Sequence, residues 1–153
     1  MKKILFLFAI LISTISYGQL IPKDFTLRNI NDIDSAIVIL KKVARLQVNV
    51  PVSIDVTKEY FAQTRQVGKR VSGLSRETRT VEIPKTTYYE YIGKIYVKKG
   101  WTIHIQNSVT AGDNLTIKNK ELAEQAFAAI LCLIKNSGNK NYDKIIAEIS
   151  AFK

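Results

Sequence analysis

The chain has 153 residues, 46% of them hydrophobic and 24% charged, with 23 Lys and Arg against 13 Asp and Glu and a formal charge of +10. That length holds one globular domain rather than two, and an ordinary apolar fraction excludes a wholly disordered or collagen-like chain. One cysteine excludes an internal disulfide framework, and one histidine argues against a dense His/Cys metal site.

Residues 1–18, MKKILFLFAILISTISYG, begin with Lys2 and Lys3 and continue into the unbroken apolar run Ile4–Ile12. Ser16 and Gly18 then offer small side chains at the −3 and −1 positions of a cleavage site. This is the layout of a secretory signal peptide. The run falls short of the ~20 residues that cross a bilayer, the alternative being an uncleaved N-terminal anchor. No cysteine follows it, so lipid attachment at a lipobox is excluded. The expectation is an exported bacterial protein, periplasmic or extracellular, whose mature chain begins near Gln19. Residues 19–153 then form a single domain with no transmembrane segment.

Residues 19–30 show no period. Asn31-Asp32 opens a helix over about 32–46, carried by Ile33, Ile37, Leu40 and Ala44 at three- and four-residue spacing. Lys41, Lys42 and Arg45 suit its C-terminal end. From Val48 to Lys118, Val, Ile, Thr and Tyr dominate and strands are expected. Val52, Ile54 and Val56 alternate with polar residues. Thr78–Ile83 is a second strand and Thr86–Ile92 a third. Gly93-Lys94 is expected to turn the third into a hairpin with Ile95–Lys98. Lys99-Gly100 is the next turn. Trp101, Ile103 and Ile105 then alternate cleanly with Thr102, His104 and Gln106. Residues 111–114 should turn into Leu115-Thr116-Ile117.

Asn119 is a plausible N-cap for a helix over 120–135, with Glu121 in its first turn. Its wide apolar arc of Leu122, Ala126, Ala129, Ile130 and Leu133 implies heavy burial. Gly138 ends it. A last helix spans about 142–152. The predicted class is α+β: an N-terminal helix, an antiparallel six- to seven-strand curled sheet or partial barrel, and an amphipathic C-terminal helix capping it, followed by a short last helix. Residues 101–135, WTIHIQNSVTAGDNLTIKNKELAEQAFAAILCLIK, resemble the closing section of pleckstrin-homology-like domains, where a hairpin runs through a polar turn into a helix that plugs a curled sheet. The resemblance implies binding of phosphoinositide headgroups or peptides. No binding motif of that family matches residue by residue, so it assigns no site.

The most distinctive stretch is Lys58–Thr80, KEYFAQTRQVGKRVSGLSRETRT. Lys58, Arg65, Lys69, Arg70, Arg76 and Arg79 face only Glu59 and Glu77 there. Gly68, Ser72-Gly73 and Ser75 suggest turns, and such a basic loop suits phosphates or other anions. Tyr88, Tyr89, Tyr91 and Tyr96 crowd the next hairpin, where exposed rings suit glycan stacking or protein contacts and paired rings simply stabilise strands. His104, the one imidazole, would need a carboxylate such as Glu90 and a cation such as Arg79 to act as a general base. Cys132 reads as a small hydrophobe at the edge of a helix interface, or as a site of intermolecular disulfide formation. Asp32 and Asp34 read as helix N-terminal charge rather than calcium ligands, because further oxygen ligands are missing. Asn114-Leu115-Thr116 matches a glycosylation sequon but reads as turn chemistry.

The expected function is therefore binding rather than catalysis. The partner would be a protein or an anionic envelope component: a lipid headgroup, lipopolysaccharide or an acidic glycan. Nucleic acid is not expected outside the cytosol, nor is a cofactor or metal. Arg65, Lys69, Arg70, Arg76, Arg79, Tyr89 and Tyr91 are the expected contacts. The alternatives are a small ribonuclease-like hydrolase built on His104 and a structural subunit of an envelope assembly.

Overall fold

The computed structural model describes residues 21–70, 78–98, 100–110 and 112–151. The leader (1–18) and Arg76 lie outside them. The chain is α+β. Helix α1 (Ile33–Ala44) is followed by strands β1 (Ser53–Val56), β2 (Tyr60–Arg70) and β3 (Thr78–Tyr88), and a short 3-10 turn at Tyr89–Tyr91. Strands β4 (Ile92–Lys98), β5 (Thr102–Asn107) and β6 (Asp113–Thr116) come next, then helices α2 (Lys120–Asn136) and α3 (Tyr142–Ala151). Among the described residues no helix is long and apolar enough to cross a membrane.

The six strands do not form one curled sheet. They make two three-stranded antiparallel sheets, ordered β1-β2-β3 and β4-β5-β6. The expected Tyr-rich hairpin is the reason for the difference. Gly93-Lys94 does not turn the chain: β4 runs straight through both residues, with a register shift between Ile92 and Lys94 where the glycine is accommodated. The chain instead changes sheet one step earlier, at Tyr89–Tyr91, and the Tyr89 N–H is held by the Glu59 carbonyl (3.0 Å).

The core lies where the second sheet meets the helices. Alternation sends Ile95, Val97, Ile103, Ile105 and Leu115 inward, and all are buried, as are Ala126, Phe127, Ile130 and Leu133 of α2 and Leu40 and Val43 of α1. Asn119 caps α2 as expected, its side chain accepting from the Glu121 N–H (2.8 Å) and the Leu122 N–H (3.3 Å). The helix stops at Gly138 (φ 74°), a left-handed conformation that glycine adopts without steric cost.

The patternless lead-in contributes more than its sequence promised. Ile21 and Phe25 are buried, and Phe25 meets Phe127 edge-on (5.6 Å) and stacks on Trp101 (6.3 Å). Thr26 N–H donates to the buried Glu124 carboxylate (2.8 Å), fastening the segment to α2. Trp101 is not a strand residue but part of the β4–β5 turn. Its φ of 58°, beside Gly100 at 84°, is a rare conformation for a bulky residue, held by that packing.

Candidate functional site

Three surfaces carry the residues that the sequence singles out. The first is the β2–β3 ribbon. Its register pairs Tyr60 with Tyr88 at one end and Arg70 with Thr78 at the other, 11 residues per strand, or about 35 Å of ribbon. The basic stretch is thus strand over residues 60–70 and 78–80, where sequence alone suggested a loop.

The root of the ribbon is locked. Phe61, Gln63 and Thr87 are buried. Gln63 Nε2 donates to Asp113 Oδ2 (2.7 Å), and Gln47 Nε2 donates to Gln63 Oε1 (3.1 Å) and the Ala44 carbonyl (2.8 Å). The Arg65 guanidinium donates to Gln47 Oε1 (3.1 Å) and to the Asn114 carbonyl, and lies 3.9 Å from Asp113 Oδ1. The Lys85 ammonium donates to the Gly112 carbonyl. Side chains of the first sheet therefore clamp the start of β6 in the second. Arg65 is a tether in this structure, its charge directed to the protein's own acceptors, and not the open contact expected from sequence.

The distal half is different. Gln66, Val67 and Gly68 on β2, and Thr80, Glu82, Ile83 and Pro84 on β3, are exposed. Pairing sets position 69 opposite position 79, and position 70 opposite position 78. Like charges directly across a ladder destabilise it, a cost that a bound anion would relieve.

The second surface is at the other end of the ribbon. Tyr60 and Tyr88 meet edge-on (5.8 Å), and Tyr88 meets Tyr91 likewise (6.2 Å). Tyr60 Oη donates to Asp55 Oδ2 (2.8 Å). This bond and the Asp55 charge raise the Tyr60 pKa, as Glu90 raises that of Tyr91. Tyr88 also lines a groove of about 420 Å³ with Ile33, Lys58, Glu59, Glu90, Asn136 and Ser137. Sequence reasoning missed Tyr60, whose partner lies 28 positions away; only the strand register could have joined them. Tyr89, by contrast, is 1% exposed. It belongs to the core, with burial pushing its phenol far above the usual range, and it cannot stack on a ligand at the surface.

The third surface surrounds His104. Its ring stacks flat on Tyr96 across the β4–β5 ladder (centroids 4.8 Å apart, planes within 8°), and Lys98 Nζ sits 5.7 Å from the Tyr96 ring. Burial, then the Lys98 charge, lowers the His104 pKa against an opposing hydrogen bond that the ring donates to the Asn114 side chain. Asn114 is a β6 residue paired with His104, not a turn residue. Neither Glu90, at the 3-10 turn, nor Arg79, on the other sheet, shares this ladder, and among the described residues no carboxylate ion-pairs with His104.

The remaining candidates have structural roles. Asp32 caps α1, accepting from the Ser35 N–H (2.7 Å), and hydrogen bonding from the Ser35 side chain, then from its N–H, lowers its pKa. Cys132 is buried, its Sγ 3.7 Å from the Asn136 amide nitrogen, and burial pushes the thiol pKa up, away from nucleophilic use. No family model, curated protein or solved structure matches the chain.

Proposed function

We propose that this protein is an exported binding domain that presents the distal half of the β2–β3 ribbon to an anionic partner, such as a lipid headgroup, lipopolysaccharide or an acidic glycan. The observation that carries this reading is the register: Lys69 and Arg79 stand directly opposed, on the part of the ribbon where Val67 and Ile83 remain 41% and 39% exposed. Basic positions paired in register on a ribbon with exposed apolar side chains suit a headgroup and the acyl boundary beneath it. Arg70, next to Lys69, adds to the same end. The hairpin, turn and helix order of residues 101–135, which resembles the pleckstrin-homology-like closing section, points to the same ligand class. Among the described residues no carboxylate pairs with His104 to orient it for the hydrolase alternative.

Co-sedimentation with vesicles containing phosphatidylglycerol tests the proposal. Retention should fall steeply with salt and drop about tenfold or more in a Lys69→Ser, Arg70→Ser, Arg79→Ser variant, near ~1 kcal/mol per cation at an anionic surface. Retention equal to the wild-type protein would remove the ribbon from the interaction.

A further inference from the structure

The opposite end of the ribbon carries a surface of contrary chemistry, and it is independent of the anion reading. Tyr60, Tyr88 and Tyr91 form a chain of edge-on rings, with Tyr88 and Tyr91 exposed to 44% and 41%. Single exposed apolar residues are unremarkable, but contiguous rings, one of which lines a groove, are characteristic of contact surfaces. The groove is about 420 Å³ and is set between the 57–59 turn, the 3-10 turn and the end of α2.

The charges around the rings select the sign of the ligand. Glu59 and Glu90 line the groove, and Asp55 meets the Tyr60 hydroxyl. Among the described residues none of these three carboxylates is within ion-pair distance of a cation. Among the described residues Lys58 is the one cation lining the groove. An electron-rich ring face beside unneutralised carboxylates attracts a guanidinium or an ammonium group, the ring through its quadrupole and the acid through charge and hydrogen bonds. A sugar is not selected by such a surplus of negative charge, and a phosphate is repelled by it.

We infer that the groove lined by Tyr88, Glu59 and Glu90, with the Tyr60 and Tyr91 rings packed beside Tyr88, binds an arginine or lysine side chain on an extended basic segment of a partner protein. The cation would lie against Tyr88 with Glu59 and Glu90 on either side, and the flanking backbone would run past Tyr60 and Tyr91.

The test uses the full-length protein and a labelled Gly-Arg-Gly-Arg-Gly peptide, with the same peptide carrying citrulline in place of arginine as the neutral control. The Arg peptide should bind in a salt-sensitive manner and the citrulline peptide at least about fivefold more weakly. A Glu59→Gln, Glu90→Gln variant, which alters only exposed side chains, should lose about tenfold. Tyr88→Ala should weaken binding severalfold while Tyr88→Phe retains it, because the ring rather than the hydroxyl makes the contact. Lys58→Ser should tighten it. Equal binding of both peptides, or unchanged binding in the double Gln variant, would overturn the assignment. The triple Ser variant of the ribbon tip should leave peptide binding intact, and the double Gln variant should leave vesicle retention intact, so each reading fails separately.

Discussion

The two halves of the β2–β3 ribbon share one register and one alternation, yet they are built for different purposes. At the root, Phe61 and Gln63 enter the core, and a hydrogen-bond network of Gln47, Gln63, Arg65 and Asp113 ties the ribbon to the second sheet. Farther out the same face carries Val67 and Ile83 in contact with solvent, and the basic positions have no acidic position opposite them. The lesson is that pairing alone sustains a strand, while the neighbour behind it decides whether its side chains serve stability or recognition.

Substitutions sharpen that contrast in order of expected effect. Phe61→Ala at the root should cost about 3–5 kcal/mol in denaturant unfolding, because a fully buried ring leaves a cavity. Asp113→Ala should cost about 2–4 kcal/mol, since it strands the Gln63 amide and leaves the Arg65 charge short of its counter-ion. Gly112→Ala should cost about 1–3 kcal/mol, because a methyl group there would run into the Ile105 carbonyl. At the tip, Val67→Ser and Ile83→Ser should each shift stability by less than about 1 kcal/mol, as expected where burial is slight. Equal costs at root and tip would erase the distinction.

The smallest effect is one of pH. The folded state holds the His104 pKa below its unfolded value, so the unfolded chain takes up the proton more readily. His104 therefore favours folding above the unfolded pKa and loses that contribution as pH falls toward the folded value. Thermal melts between pH 7.5 and 5 should show a decline that is smaller in His104→Gln.

Much of the fold was legible in the sequence because its signals are local. The 120–135 periodicity with Asn119 before it, the helix begun at Asp32, and the Thr102–Gln106 alternation each depend on neighbours a few residues apart. The errors came where distant groups decide. Gly93-Lys94 has turn chemistry, but a strand running on to Lys98 with β5 beside it overrides that preference. Tyr89 and Tyr91 look equivalent in sequence, yet the 3-10 turn buries one ring and exposes the other. Arg65 shows the same limit: nothing near it announces Gln47 or Asn114, 18 and 49 positions away, as its acceptors. The Tyr60–Tyr88 contact was invisible for the same reason, being assembled by register.

The most direct measurement of the central claim is amide hydrogen exchange across the ribbon, with and without phosphatidylglycerol vesicles. The account predicts that residues 64–70 and 78–84 exchange faster than residues 60–63 and 85–88 in the free protein, and that only the distal set slows when vesicles are added. Uniform protection along the ribbon without vesicles, or slowing confined to the root or to residues 88–91, would contradict it.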